Sequence, residues 1–394
     1  MHDLVIRNAL LVDGAGTPGK VGDLALKDGL IAELGAGVGR AREELDADGL
    51  VLAPGIIDSH THYDAQVTWD PGLTPSPGLG VTTVVIGNCG FTIAPCKAHD
   101  RDLTMRNLTH VEGMSLDVLR AGVRWDFETF PEYLDMLERG GVALNVAAFV
   151  GHSSIRTFVM GADATKRAAT GDEIAGMRAL VLDAMRAGAV GFATSTAPQH
   201  NGEGGVPMPS RLADEAELRA LTGALGEAGR GIFMLTKGGQ TTVPFLEELA
   251  AANGRPVMIA ALLHNSTRPE QTFEELVQIG AAQARGRRLY GQVSCCPLTL
   301  DFTLKSPYPL ESLETWVPAM QAEDEDLKAV YADPGFRARV KAELERPAAV
   351  RLFNGEWHKL DLLESSRPDC RHLEHRNLAD LAKADGKHPL DWML

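Results

Sequence analysis

Three residues of the sequence carry the donor chemistry of a metal site. His60 and His62 stand one residue apart at the end of the apolar run in GIIDSHTHYD, and Cys89 stands at the matching place in VVIGNCGF. On a strand, side chains at i and i+2 share a face, so the two imidazoles point into one space while Thr61 points away. Neutral imidazole and thiolate are both good ligands for Zn²⁺ and similar borderline ions, and such an ion activates a bound water. Asp58 and Asp64 flank the pair as acceptors behind the imidazoles or as further ligands. His264 closes the apolar run in PVMIAALLHNSTRP and is a fourth donor if its strand ends at the same place. The plain alternatives are a polar strand rim for the histidine pair and ordinary core packing for Cys89 and His264.

A site built from distant residues needs elements that bring them together. Residues 1–54 read as short strands in DLVIRNALLVDG, GDLALKDGLIAELG and DADGLVLAPG, with a hairpin at Lys27 to Gly29, and predict part of a small β-sandwich layer. From Gly55 the texture changes to brief apolar runs alternating with helix-period segments, as in βαβ units. Strands are predicted at Ile56–His62, Thr82–Gly87, Leu144–Val150, Ala189–Ser195, Gly231–Thr236, Val257–His264 and Leu289–Ser294. Capping boxes are predicted at Thr170 with Glu173 and at Thr272 with Glu275. Pro244 suits a first helical turn and Gly254 a left-handed cap.

Seven such strands fit a doubly wound sheet or a TIM-type (β/α)₈ barrel that lacks its eighth strand. No strand is followed by GxGxxG or GxxxxGK[ST], which favours the barrel. Residues 55–296 then hold barrel strands one to seven, and 297–394 an insertion and helical segment before the expected eighth strand. Barrel sites lie at the C-terminal strand ends, so His60, His62, Cys89 and His264 converge on one mouth.

Composition bounds the partners. The 394 residues are 44% apolar and 23% charged, ordinary for a globular chain. With 53 acidic against 38 basic residues, the formal charge of −15 disfavours nucleic acid and anionic lipid. Five cysteines without a secreted spacing pattern point to a reducing cytoplasm. The N-terminal HDLVIRNALLVDG is too polar for a signal peptide, and no apolar run approaches the ~20 residues of a membrane span. A small-molecule substrate is expected, and a homo-oligomer is left open.

APGIIDSHTHYDAQ, TTVVIGNCGFTIAP, NVAAFVGHSSIR, AGAVGFATSTAP and the PSR at Pro209 to Arg211 together resemble the amidohydrolase superfamily, in its D-aminoacylase (N-acyl-D-amino-acid deacylase) branch. The resemblance implies a zinc-dependent hydrolase barrel holding one or two divalent ions. It makes His60 and His62 ligands of the weaker metal, Cys89 the bridging ligand and His264 a ligand of the tighter one. The implied reaction is deacylation of N-acyl-D-amino acids by a metal-activated water. A cyclic-amide hydrolase of the hydantoinase or dihydropyrimidinase kind is the enzymatic alternative, and a non-catalytic metal-binding barrel the other.

Three stretches depart from that pattern. Where relatives place a fifth-strand histidine, GIFMLTKGGQ offers Thr236 or Lys237; the lysine could ligate as a neutral amine or carbamate, or meet a substrate carboxylate. LYGQVSCCPLT keeps one tyrosine, Tyr290, and its adjacent Cys295 and Cys296 are read as packing residues with at most one facing inward. The family's eighth-strand aspartate, the general base, is expected beyond Leu394, since Asp369, Asp385 and Asp391 follow no apolar strand.

Overall fold

The computed structural model describes residues 1–109, 113–348 and 351–394. These fall into two compact units, Met1–Asp58 with Pro75–Thr83, and Ser59–Thr74 with Val84–Leu394.

The smaller unit is built on β1 (His2–Leu11), β2 (Lys20–Lys27), β3 (Leu30–Gly35), β4 (Ala41–Asp46) and β5 (Val51–Leu52), one mixed sheet in which β1 pairs antiparallel with β2 and parallel with β4 and β5. Asp28 and Gly29 both take positive φ between β2 and β3, as the Asp-Gly hairpin signal requires. Val5, Ala25 and Val38 form its small core. Among the described residues these strands form one sheet, on which Leu30, Ile31, Leu34, Leu45 and Val51 are exposed.

The parallel strands are β6 (Ile56–Asp58), β7 (Val81–Ile86), β8 (Asn145–Gly151), β9 (Gly191–Ser195), β10 (Ile232–Thr236), β11 (Val257–Ala260) and β12 (Leu289–Gly291). They form one seven-stranded sheet in chain order, the arrangement of successive barrel strands. Between β7 and β12 run α1 (Arg101–Leu108), α2 (Leu116–Gly122), α3 (Phe130–Gly140), α4 (His152–Met160), α5 (Gly171–Ala187), α6 (Glu215–Ala228), α7 (Val243–Asn253) and α8 (Gln271–Ala284). The Thr170–Glu173 capping box starts α5, and α7 carries Pro244 in its first turn with Gly254 as a left-handed cap. The second predicted box is absent. Here α8 starts at Gln271, so Thr272 lies inside it, donating to the Leu263 carbonyl, and Glu275 pairs elsewhere.

The segment after residue 297 is largely helical, with α9 (Val317–Met320), α10 (Asp324–Ala332), α11 (Pro334–Leu344), α12 (Leu378–Ala384) and α13 (Pro389–Met393). Leu310, Leu313, Trp316, Leu327, Tyr331, Phe336, Val340 and Leu390 form a core of its own. The Arg351 guanidinium closes the end of α11 on the carbonyls of Glu343, Leu344 and Arg346, and Asn265, in the loop after β11, donates to the Ala348 carbonyl at 2.9 Å. Among the described residues no helix is long and apolar enough to cross a membrane.

Candidate metal centre

The donor atoms of His60, His62 and Cys89 lie within 4.8 Å of one another, and among the described residues no other such group of three forms. Each stands just past a strand end, and all three residues lie in the larger unit. His60 and His62 follow β6 on a stretch held to β7 by Thr61, whose N–H and hydroxyl both donate to the Val85 carbonyl. Cys89 follows β7 in a tight loop and takes a positive φ of 58°. The loop works only because its neighbours are glycines. Gly87 and Gly90 also have positive φ, and a Cβ on them would stand 2.4 Å from the Phe149 carbonyl oxygen and 2.7 Å from that of Ala193.

The spacing suits a tetrahedral ion. Zinc with Zn–N of about 2.0–2.1 Å and Zn–S of about 2.3 Å requires an N···S edge of about 3.6 Å. Cys89 Sγ stands 3.4 Å from His60 Nε2 and 3.8 Å from His62 Nε2. Burial, with His60 and His200 nearby, pushes His62 down to about 3, so its imidazole is neutral at physiological pH, the form that ligates. Among the described residues three donors group here, one fewer than the four of a structural zinc site.

The surroundings were less legible. Thr236, the last residue of β10, directs its hydroxyl to Cys89 Sγ at 3.0 Å, and the Cys89 N–H donates to Met234 Sδ. Gln292, just past β12, accepts from His60 Nδ1 at 2.8 Å. Phe91 stacks on His62 and meets the edge of His200, whose Nδ1 engages Ser195 Oγ at 2.6 Å. Sequence reasoning did not assign Gln292 or His200 to the site and named Arg211 only within the PSR stretch; the signal available for Gln292 was a polar residue placed just beyond a strand end.

Several expected members stand elsewhere. His264 is exposed and outside the donor group; β11 ends at Ala260, and the Leu262 N–H makes one more bond, to the Gln292 carbonyl, before the chain reaches it. Lys237 is ion-paired with Glu275 of α8 at 2.8 Å, with both side chains largely buried, so its charge is already met. Asp58 ends β6 in the smaller unit. Asp64 is buried behind the cysteine loop, where its Oδ2 accepts the Gly87 N–H at 2.9 Å. Cys295 and Cys296 are both exposed, since β12 ends at Gly291 and neither packs inward. Asp369, Asp385 and Asp391 are engaged by Arg367, Trp392 and Lys341.

Burial raises the Asp64 carboxyl to about 7 from 3.8, against the pull of the Gly87 N–H. The folded state therefore binds this proton more tightly than the unfolded one. The stability this contributes is fully present below about pH 4 and is lost as pH rises through about 7. Asp64→Asn keeps an acceptor for Gly87 and removes the ionisation. Between about pH 4 and 8 the metal-free wild type should lose on the order of 3–4 kcal/mol relative to the variant. Urea unfolding across that range checks this, and parallel pH profiles would refute it.

The description of the amidohydrolase family matches residues 43–290. The chain is 35% identical over 291 residues to a D-aminoacylase of Alcaligenes xylosoxydans xylosoxydans, covering 72% of this chain and 55% of that one. It is 42% identical over 199 residues to an N-acyl-D-aspartate deacylase of the same organism, covering 49% and 36%. A solved D-aminoacylase, described as defining a novel subset of amidohydrolases, superposes with a TM-score of 0.64 at 25% identity, over 100% of this chain and 69% of that one. The chain thus spans about half or less of the length of these two curated relatives.

Proposed function

This chain belongs to the amidohydrolase family, in its D-aminoacylase branch, and from that membership we propose a metal-dependent hydrolase of linear amide bonds that deacylates N-acyl-D-amino acids. The observation that carries the reading is the His60–His62–Cys89 cluster, whose N···S edges suit tetrahedral zinc. When bound, such an ion acidifies a water and polarises the scissile carbonyl. The protein's own part is to hold that site in place. His62 keeps its lone pair free of a proton, and Asp64 braces the loop that presents Cys89.

Recognition of the substrate's carboxylate falls in this reading to Arg211 rather than to Lys237. Its Nη1 is tied to the His200 carbonyl and to Asn201 Oδ1, while no acidic side chain among the described residues pairs with it. Burial depresses its basicity without a carboxylate to offset the cost. The fully buried Arg156, by contrast, is paired with Glu217, and the buried Arg351 is spent on the carbonyls at the end of α11. An arginine left with its bidentate edge unclaimed is suited to a carboxylate ligand.

The test is metal analysis together with hydrolysis of N-acetyl-D-amino acids, their L enantiomers, hydantoin and dihydrouracil. Expected are bound zinc, preference for the D-acyl substrates, and a KM about 10- to 100-fold higher in Arg211→Gln, the range of a lost hydrogen bond to a charged group. Preferential opening of the cyclic amides would replace this reading with the hydantoinase-like one, and protein free of metal when prepared with zinc would defeat both.

A further inference from the structure

In place of the ligand relatives carry on the fifth strand, this chain has Thr236, and its seventh strand leads into Gln292. We propose that Thr236 and Gln292 are positioning residues for a metal ion held by His60, His62 and Cys89: the hydroxyl orients the sulfur, and the amide fixes which nitrogen of His60 faces the ion. The proposal rests on the metal-site reading above and assigns roles to residues it did not need.

The Gln292 assignment follows from its partners. Its Nε2 donates to the Ser59 carbonyl at 3.2 Å and to Ser59 Oγ at 2.8 Å. A carbonyl only accepts, so the NH₂ end must face Ser59 and the Oε1 end His60. His60 Nδ1 therefore carries the hydrogen and donates it across the 2.8 Å contact. The lone pair is left on Nε2, the atom 3.4 Å from Cys89 Sγ. A ligating histidine whose other nitrogen donates to a fixed acceptor keeps its ring orientation and gains basicity.

Thr236 acts on the other end of the same pair. Its backbone is locked in the sheet, in register with Ser195 on β9 and Ala260 on β11. The hydroxyl at 3.0 Å donates to a sulfur whose own backbone sits at positive φ and is anchored to Met234. Threonine cannot replace an imidazole ligand, but a hydrogen bond to a thiolate aims it and withdraws electron density from it. The fifth strand thereby supplies a contact to a ligand instead of a ligand.

The experiment uses the full chain loaded with Co²⁺, read by the sulfur-to-cobalt charge-transfer band and by chelator competition. Thr236→Val should shift the band and weaken cobalt binding about 10-fold or more, and Thr236→Ser should restore both. Gln292→Leu should leave the band in place, weaken binding about 10- to 100-fold and, in the metal-free protein, let His60 sample both tautomers by ¹⁵N NMR, while Gln292→Glu should restore the Nδ1–H form. A purely structural role would lower stability without moving the band or the tautomer. Wild-type protein that binds cobalt while Thr236→Val and Gln292→Leu match it overturns the proposal alone. Wild-type protein that binds none overturns the metal reading as well.

Discussion

Cys89→Ala is expected to abolish stoichiometric zinc binding, with affinity falling by at least about a hundredfold, and to remove hydrolytic activity with it. Two imidazoles would remain, and two donors do not hold zinc against a chelator when the third, charged one is gone. The expectation is specific to the ligand because the rest of the loop has little reason to move. Alanine at position 89 inherits the same positive φ, and the Gly87 and Gly90 conformations and the Asp64 brace do not involve the sulfur. Thermal stability of the metal-free proteins should therefore agree within about 1–2 kcal/mol, the range of one small buried side chain. Chelator titration and metal analysis after dialysis check this. A variant that retains one equivalent of zinc at unchanged affinity would remove Cys89 from the site.

The second large effect concerns the scaffold. Glu217 of α6 is fully buried and joins two elements. It accepts from His152 Nε2 at 2.7 Å, at the start of α4, and pairs with the buried Arg156 one turn further on. Burial alone would raise the Glu217 carboxyl, but His152 and Arg156 together hold it below its ordinary value. Burial keeps His152 below its own, and Arg156 reinforces this against Glu217. The unit is therefore a carboxylate, a guanidinium and a neutral imidazole whose Nδ1 meets Thr194 on β9 at 2.7 Å. Glu217→Ala leaves the guanidinium uncompensated in the interior and should cost about 3–5 kcal/mol, which lowers Tm by about 4–6 °C. Arg156→Leu combined with Glu217→Ala should lose less than the sum of the two single changes, because the stranded charge is gone. A Glu217→Ala protein within about 1 kcal/mol of wild type would show that the pair is not a structural tie.

The sequence made the strands readable because a parallel sheet buries both faces and writes itself as short apolar runs between helix signals. Ile56, Val81, Asn145, Gly191, Ile232, Val257 and Leu289 all begin strands within three residues of the predicted starts. The ends were harder. Ala261 to Leu263 continue the apolar run of β11, yet the strand stops at Ala260, and His264 stands exposed outside the donor group. His60, His62 and Cys89 were legible because their grouping follows from i, i+2 geometry and from two adjacent strand ends. Thr236 could be seen at a strand end but not its aim at the sulfur. Gln292 and Arg211 depend on approaches between residues 10 or more positions apart, which no local pattern records.

The helical segment beyond residue 297 has a core separate from the sheet, and its approach runs through Leu298 and Leu300, which are exposed. Two cores in one unit are expected to exchange their amide hydrogens as two cooperative blocks. Amides around Trp316, Tyr331 and Phe336 can stay protected while the strand ends open, and the exposed approach is where a protease would first find unfolded backbone. Motion that admits or releases a ligand at the strand ends therefore need not disturb the helical block.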